Sequence, residues 1–257
     1  MFQFDFGAAP EVTPPVRRAK ALCVVPWPGW EGSMSPQGTS TPHEVFPGGP
    51  TLLLSSSSSS HGPETDRIPG TYEGGFKVWS CSCDLARFLI ENPSVCAHKN
   101  VMEIGCGHAI PAMVSRGRNL LLQDFNTEVL TDAVIPNLQR NIISSRDADR
   151  PEGVVLVSCD WSQLVGFIHT PYDVVLGTDV TFTAAACRDV VAVLGACFKL
   201  QPKSVAYIAT KKYYFGTGGG SQEFSAAMVE VGGMASETIW SAPDHSRCIL
   251  KVTLIKT

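Results

Sequence analysis

Short apolar runs alternate with stretches of helical periodicity from about residue 72 to the end of this 257-residue chain. The apolar runs have the length of buried strands and cover 99–104, 119–123, 154–158, 173–177 and 204–209. Apolar residues recur at helical spacing in the segments before and between them, which cover 83–92, 129–141, 184–200 and 222–231. Such alternation predicts a doubly wound α/β fold, in which a mostly parallel sheet carries helices on both faces.

Two details refine this prediction. The last pair of apolar runs, 235–240 and 248–255, predicts an antiparallel hairpin that closes the sheet. Pro136 falls inside the second helical segment, where its ring and its missing N–H are expected to kink or divide the helix.

Residues 8–69 differ in composition from the rest of the chain. They are rich in Pro, Gly, Ser and Thr, include the run Ser55–Ser60, and show no sustained period. Such a segment buries too little apolar surface to offset its ordering entropy, so we expect 1–69 to be a largely disordered arm and 70–257 to be the folded domain. Residues 17–26 and the pair Trp27 and Trp30 are expected to form docking elements or a short strand at the domain edge.

Charge and cysteine content exclude several classes of protein. The formal charge of −4 leaves no basic surplus, which argues against direct sequence-specific nucleic-acid binding. No window approaches a membrane span, and the first ten residues lack the pattern of a secretory signal. Nine scattered cysteines are typical of reduced thiols, and neither the Cys81/Cys83 pair nor the six histidines have metal-ligand spacing. We expect a monomer of the cytoplasm and nucleus, without membrane or metal.

The first predicted strand ends in a glycine turn that contains Gly105 and Gly107. In doubly wound folds a ligand lies at the carboxyl ends of the strands, where glycines let the backbone approach it. A third glycine, needed for a dinucleotide site, is replaced by Ile110. The turn therefore predicts a nucleotide-like cofactor and disfavours a pyrophosphate.

The next two strands end in polar residues that suit an adenosine group. Asp124 can accept hydrogen bonds from both ribose hydroxyls, or it can cap the following helix, a task open also to Asn126 or Thr127. Asp160 and Trp161 can bind the amine and the ring of an adenine, or they can be a turn residue and an aromatic at the core edge. The three strand ends together favour the cofactor interpretation.

The fourth strand is followed by Thr178 and Asp179. This strand end faces the reacting group in folds of this kind, so Asp179 is the candidate catalytic residue that contacts the nucleophile. The alternative is that Asp179 caps the helix that follows.

Several segments together resemble the histidine protein methyltransferases, over most of residues 67–257. The matching segments are Tyr72–Trp79, Glu103–Gly107, Gln123–Asn126, Val134–Asn137, Asp160–Ser162 and the glycine-rich Lys211–Gly220. The start, Met1–Phe6, also resembles the alternating phenylalanines of that family. The chain departs from the family at residues 108–112 and at Phe182, where relatives carry a tyrosine.

The resemblance implies a class I methyltransferase: a Rossmann-like seven-stranded sheet with an antiparallel final strand, and S-adenosylmethionine as cofactor. It implies a protein substrate, methylated on the Nε2 atom of a histidine in a large-subunit ribosomal protein. Cofactor contacts are then expected at Trp79, Ser80, Cys81, Glu103, Gly105, Gly107, Gln123, Asp124, Phe125, Cys159, Asp160, Trp161 and Thr178. Asp179 would accept the Nδ1 proton of the imidazole directly or through a water. Tyr214 and Phe215 would form a wall that binds the substrate; the alternative is that their glycine-rich segment only packs against the sheet edge.

Two other functions stay open. A lysine protein methyltransferase would share the fold and the cofactor. A cofactor-binding interaction module without turnover is possible because residues 108–112 are altered.

Overall fold

The computed structural model describes residues 20–26, 39–55, 66–143 and 150–255. Its strands, in chain order, are β1 Lys20–Pro26, β2 Ser40–Glu44, β3 Thr51–Ser55, β4 Asn100–Ile104, β5 Asn119–Asp124, β6 Gly153–Ser158, β7 Val174–Thr178, β8 Val205–Lys211, β9 Met234–Ser241 and β10 Arg247–Leu254. Its α-helices are α1 Ser80–Glu91, α2 Ile110–Val114, α3 Thr127–Val129, α4 Ile135–Leu138, α5 Trp161–Leu164, α6 Ala184–Leu200 and α7 Ser221–Val231. Short 3-10 turns cover Pro93–Val95 and Val165–Phe167.

The main sheet has the order β1-β6-β5-β4-β7-β8-β10-β9. Strands β6, β5, β4, β7 and β8 are parallel, while β10 runs antiparallel to both β8 and β9. The predicted doubly wound, mostly parallel seven-stranded sheet and its closing hairpin are confirmed in β4 to β10, and β1 adds an eighth strand beside β6. The order in which the strands are added to the sheet reverses between β4 and β7. The carboxyl ends of these two strands lie side by side at this switch point, where such folds bind ligands.

Two buried apolar clusters lie on opposite faces of the sheet. One cluster is built around α1 and α2 and includes Leu85 and Leu89, which lie one helical turn apart on the buried face of α1. The other is built around α6 and α7 and includes Phe198 and Phe224, both fully buried. The helical periodicity in the sequence therefore predicts correctly which residues of these helices face the sheet.

The predicted helix around Pro136 is divided into short pieces. α3 is followed by a π-helical turn, Leu130–Val134, and α4 by a second one, Gln139–Ile143. Pro136 occupies one of the first two positions of α4, where its missing N–H is tolerated. The wider turns on both sides of α4 agree with the prediction that the proline would interrupt a regular helix.

The expectation of a disordered arm is wrong for residues 39–55. Strands β2 and β3 form an antiparallel hairpin, and Val45, Leu52 and Leu54 are buried in the cluster that contains α1. Alternation in β3 buries Leu52 and Leu54 together because they lie on the same side of the strand. β1 pairs antiparallel with β6, which confirms the alternative of an edge strand for part of 17–26. Trp27, Trp30 and Met1–Phe6 lie outside the described residues.

Across the described ranges, no helix is both long enough and apolar enough to cross a membrane. Within these ranges, no three His, Cys, Asp or Glu side chains come together in a group that could hold a metal ion.

Candidate active site

A cavity of about 880 Å³ opens at the carboxyl ends of β4, β5, β6 and β7. Its size falls within the range of small-molecule sites. Most of the residues that the sequence analysis assigned to the site line this cavity; they are Trp79, Gly105, Gly107, Gln123, Asp124, Phe125, Cys159, Asp160, Trp161, Thr178, Asp179, Tyr214 and Phe215. The topology thus brings four strand ends that are distant in sequence to one cavity.

The glycine turn after β4 adopts left-handed backbone at two positions. Gly105 has a φ of 56° and Gly107 a φ of 51°. A Cβ atom on Gly105 would stand 2.8 Å from Cγ1 of Val180, too close for any side chain. The turn therefore requires glycine at this point for both conformation and space.

Gln123 connects three of the strand ends. Its Oε1 atom accepts hydrogen bonds from the Gly105 N–H (2.9 Å) and from the indole N–H of Trp161 (2.9 Å). Its Nε2 atom donates to the carbonyl oxygen of Cys159 at 2.7 Å. Because all three groups are fixed by one buried amide, the floor of the cavity is preorganised.

Asp124 is held by backbone donors at the base of the cavity. The Gly107 N–H donates to its Oδ2 atom (3.0 Å), and the Asn126 N–H donates to its Oδ1 atom (3.1 Å). Burial raises the pKa of this carboxyl to about 6, although the backbone hydrogen bonds oppose the rise. Asn126 stands at the N-cap of α3 without a side-chain cap bond, so the alternative of Asp124 as that cap is not observed.

Asp160 caps a helix and also lines the cavity, so the adenine-binding role predicted for Asp160 and Trp161 stays a prediction. The Oδ1 atom of Asp160 accepts from the Ser162 N–H (2.9 Å) and hydroxyl (2.7 Å), so Asp160 is the N-cap of α5. Asp160 nevertheless lines the cavity. The Trp161 ring lies over the turn, with Cζ2 3.3 Å from the Cβ position of Gly105, and packs 6.0 Å from the ring of Phe182.

Asp179 has the most unusual geometry in the cavity wall. Its φ is 54°, a left-handed conformation that costs free energy in a non-glycine residue. The hydroxyl of Tyr214 donates to its Oδ1 atom at 2.7 Å, and the ammonium of Lys211 lies 3.9 Å from the same oxygen. Its Oδ2 atom is buried, and the thiol and backbone N–H of Cys81 lie close enough to the carboxylate to lower its pKa.

The environment of Asp179 acts on its charge in opposite directions. Burial raises the pKa of the carboxyl, while the Tyr214 hydroxyl, Lys211 and the weakly donating Cys81 thiol lower it. The alternative role as a helix cap is not observed, because Oγ1 of Thr183 accepts the Ala186 N–H at the start of α6 (3.0 Å). The carboxylate is therefore available to the cavity.

Of the three cofactor contacts predicted before α1, only one lines the cavity. Trp79 lines the cavity, and its indole N–H donates to the carbonyl oxygen of Gly74 at 3.0 Å. Ser80 is exposed and Cys81 is buried beneath the wall, and neither lines the cavity. Cys81 instead contacts Asp179, and burial raises the pKa of its thiol.

Glu103 also lies behind the cavity rather than in its wall. It is fully buried, and its Oε2 atom accepts the Ala112 N–H of α2 at 2.9 Å. Burial raises the pKa of this carboxyl to about 8, and the hydrogen bond from Ala112 opposes the rise. Glu103 therefore connects β4 to α2, which positions the glycine turn from behind.

The glycine-rich segment after β8 forms one rim of the cavity. Tyr214 points its hydroxyl to Asp179, while Phe215 is 98% exposed and still lines the opening. Lys211, which the sequence did not mark as a site residue, places its ammonium 5.1 Å from the Trp79 ring centre and 5.2 Å from that of Tyr214. In the sequence, only its position just before the aromatic residues of the glycine-rich segment could have indicated that Lys211 belongs to the site.

His108 and Gly75 also line the cavity and were not assigned to the site. His108 stood out in the sequence only as a departure from the family pattern. The role of Gly75 depends on its contacts with Gly107 and Asp124, which are distant in sequence.

The lining of the cavity fits S-adenosylmethionine. The glycine turn leaves room for close approach of a ligand, Asp124 offers carboxylate oxygens at the end of β5, and Trp161 offers an aromatic ring at the end of β6. These groups match the ribose hydroxyls and the adenine of the cofactor.

Comparison with solved structures supports the fold. An O-methyltransferase family protein from Burkholderia thailandensis superposes with a TM-score of 0.50 at 13% identity, over 69% of this chain and 57% of that chain. At this level of identity the similarity shows the class I methyltransferase architecture and nothing about the substrate.

Comparison with protein sequences identifies the family. The histidine protein methyltransferase 1 homolog of Dictyostelium discoideum is 31% identical over 184 residues, covering 70% of this chain and 57% of that protein. The Mus musculus homolog is 28% identical over 223 residues, covering 76% and 59% respectively. The chain thus spans a little under three fifths of these curated relatives. The family model described as lysine methyltransferase matches residues 70–224. Because this match covers more than half of the chain, the chain belongs to the lysine methyltransferase family.

Proposed function

We propose that this domain transfers a methyl group from S-adenosylmethionine to the Nε2 atom of a histidine in a protein, and that this protein belongs to the large ribosomal subunit. The observation that carries the choice of histidine is the Asp179 carboxylate at the cavity wall, which the Tyr214 hydroxyl holds at 2.7 Å and beside which Lys211 lies at 3.9 Å. The relatives named as histidine protein methyltransferases support the same acceptor.

A histidine acceptor needs orientation more than activation. Imidazole has an ordinary pKa near 6.5, so its neutral form already has a lone pair at neutral pH. If the Asp179 carboxylate accepts a hydrogen bond from the Nδ1–H group of the imidazole, the lone pair is placed on Nε2, at the opposite side of the ring. The buried carboxylate thus selects both the tautomer and the orientation of the acceptor.

S-adenosylmethionine, when bound, supplies an electrophilic methyl group on a sulfonium sulfur. The Nε2 lone pair of the substrate forms the new N–C bond as the C–S bond breaks in line, with the electron pair of that bond staying on sulfur. The methylated imidazole is then a cation, which loses its Nδ1 proton to Asp179 and from there to solvent. Such a displacement depends mainly on positioning in a cavity that excludes water.

Tyr214 and Lys211 prepare Asp179 for this role. The Tyr214 hydroxyl donates to Oδ1 at 2.7 Å and so fixes the orientation of the carboxylate. Lys211, 3.9 Å from Oδ1, favours the ionised carboxylate. Together they hold a negative charge in a buried position, where it attracts an N–H donor strongly.

A lysine acceptor is the second candidate, because the matching family model carries the description lysine methyltransferase. The charges at the cavity wall favour histidine over lysine. Lys211 already places an ammonium beside Asp179 and against the Trp79 ring, so an incoming protonated lysine would meet a like charge at the same carboxylate. A neutral imidazole meets no such repulsion.

The decisive experiment identifies the methylated residue. Purified protein and S-adenosylmethionine with a labelled methyl group are incubated with ribosomes or extract that lack this activity, and the labelled protein is hydrolysed and analysed. Nε2-methylhistidine in a large-subunit ribosomal protein is the expected product, and the Asp179→Asn variant serves as the control. Labelled methyl-lysine would replace the proposal with the second candidate, and no label despite measured cofactor binding would indicate an inactive binding module.

The expected compartments and oligomeric state belong to the same proposal. A ribosomal-protein substrate calls for activity in the cytoplasm and nucleus, which cell fractionation tests. A cavity lined by residues of one chain requires no second copy, and sedimentation at several protein concentrations tests for a monomer.

A further inference from the structure

The hairpin of β2 and β3 is attached to the helix around Pro136 by two asparagine side chains. Asn141 accepts the Leu53 N–H at Oδ1 (2.8 Å) and donates from Nδ2 to the Leu53 carbonyl (3.0 Å). One turn earlier, Oδ1 of Asn137 accepts the Ser55 N–H at 2.6 Å. These two amides pair with alternate residues of β3 because one helical turn and two strand residues span nearly equal distances.

The other end of the Asn137 amide contacts His108. Its Nδ2 atom lies 3.2 Å from Nδ1 of His108 and donates to the His108 carbonyl at 3.1 Å. Because the Ser55 N–H requires an acceptor at Oδ1, the amide cannot be flipped, and Nδ2 must face the ring. Nδ1 of His108 is therefore an acceptor without a proton.

The proton of the neutral ring then lies on Nε2, which is 2.8 Å from the carbonyl oxygen of Phe76. Both nitrogens of His108 are thus satisfied in one tautomer, in a residue that is only 7% exposed. A protonated ring would carry an N–H at Nδ1 pointing at the N–H groups of Asn137. These hydrogen bonds are therefore satisfied only when the imidazole of His108 is neutral.

Phe76 belongs to the segment that covers the glycine turn. The carbonyl oxygen of Gly75 lies 3.2 Å from the Cβ position of Gly107, and Oδ2 of Asp124 lies 3.2 Å from the Cβ position of Gly75. The same segment ends at Trp79, which lines the cavity. The bond from His108 to Phe76 therefore fixes a stretch of backbone that closes over two cofactor-binding groups.

We infer that His108 is a positioning residue for the cofactor: its neutral imidazole, oriented by Asn137, holds the segment around Phe76 against the glycine turn and so retains S-adenosylmethionine. The inference depends on the cofactor and not on the residue that is methylated. It also assigns a function to the position at which the sequence departs from the family pattern.

The groups around His108 keep the ring neutral. Burial lowers its pKa most, His43 of β2 lowers it further, and the Phe76 carbonyl opposes them. Asn137, from the helix side, is uncharged. A histidine with a lowered pKa is neutral at pH 7 and becomes protonated as the pH falls below its ordinary value near 6.5. Binding that requires the neutral ring must weaken in that acidic range.

The test is the dissociation constant of S-adenosylmethionine, measured by calorimetry on the full chain together with the melting temperature. His108→Gln keeps an N–H donor for the Phe76 carbonyl, whereas His108→Ala removes it. At about pH 7.5 we expect His108→Ala to weaken binding by about 10-fold and His108→Gln by less than about 3-fold. His169→Ala, at an exposed histidine that does not line the cavity, is the matched control and is expected to bind S-adenosylmethionine as the wild type does.

A second measurement separates positioning from stability. From about pH 7.5 to about pH 5.5, wild-type affinity should fall more steeply than that of His108→Gln, because both proteins keep the Asp124 carboxyl with its pKa of about 6 and only the wild type titrates at residue 108. If the affinities of wild type and His108→Gln fall in parallel with pH, the inference is overturned, even if His108→Ala proves unstable. Wild-type affinity in a folded His108→Ala protein would also overturn it.

Discussion

The hydroxyl of Tyr214 donates a hydrogen bond of 2.7 Å to Oδ1 of Asp179, joining the glycine-rich segment after β8 to the end of β7. This contact changes the interpretation of Tyr214. The sequence suggested an aromatic wall for the substrate, and the structure adds a donor that fixes the candidate catalytic carboxylate. This hydrogen bond fixes the orientation of a carboxylate that lines the cavity.

Replacing Asp179 by Asn should reduce turnover by about 100-fold or more, because the amide is a much poorer proton acceptor for Nδ1 of the substrate. The dissociation constant of S-adenosylmethionine should stay within about 2-fold of the wild type, since the cofactor groups lie at other strand ends. Single-turnover methyl transfer and calorimetry measure the two quantities. Wild-type turnover would exclude the proposed role.

Tyr214→Phe should shift the pH dependence of turnover. The hydroxyl lowers the pKa of Asp179, so its removal raises that pKa. Because the ionised carboxylate is the active form, activity is lost as pH falls through this pKa, and the acidic limb of the profile should move to higher pH. We expect turnover at about pH 7 to fall by about 10-fold, with partial recovery at alkaline pH. A uniform loss at every pH would point to packing instead.

Asp124→Asn should weaken S-adenosylmethionine binding by about 10-fold to 100-fold, because a charged acceptor for hydroxyl groups is lost. The pKa of Asp124 is raised to about 6, so wild-type affinity should also fall as the pH drops through that value, while the variant lacks this component. Calorimetric titrations at several pH values test both statements. Equal affinities for the two proteins at pH 7 would contradict the assignment.

Phe215→Ala should weaken binding of the protein substrate and leave the other measured properties unchanged. The ring is 98% exposed, so its removal should leave the melting temperature within about 1 °C of the wild type. If the ring packs against the segment around the acceptor, KM for the protein substrate should rise by about 5-fold to 10-fold. Cofactor affinity should not change. Val229→Ala, on the exposed face of α7, is a matched control for loss of an exposed apolar side chain.

Glu103→Gln should change stability and leave cofactor affinity within about 2-fold. The folded-state pKa of about 8 lies above the ordinary value, so the folded protein holds its proton more tightly and wild-type stability falls as pH rises from about 4.5 to about 8. The neutral amide removes this dependence. At about pH 8 the variant should unfold with a free energy larger by roughly 1–3 kcal/mol. A large loss of cofactor affinity would instead indicate that Glu103 contacts the cofactor.

Most of the fold could be predicted because the signal is local. The boundaries of α6 follow directly from apolar residues at helical spacing. The start of α1 was placed three residues too late, since Trp79 caps the helix without the polar side chain that usually marks such a position. The hairpin of β2 and β3 was missed because its few apolar residues are buried by a helix more than 80 residues away.

The residues of the candidate site also fall into those that the sequence could predict and those that it could not. Gly105, Asp124 and Trp161 could be assigned from sequence because each follows a recognisable strand, and parallel strands end at a common edge. Ser80, Cys81 and Glu103 follow the family pattern equally well and yet do not line the cavity. Sequence position shows that a residue is near a strand end and does not show which way its side chain points.

By itself, the sequence determined the alternation of strands and helices, and hence the doubly wound sheet and the edge at which polar residues gather. These depend on periodicity and on turn chemistry, which act over a few residues. Only the tertiary structure decided that Tyr214 occupies one oxygen of Asp179, and that Asn137 fixes the tautomer of His108. Those relations join residues 35 and 29 positions apart, and their geometry is set by how the elements pack.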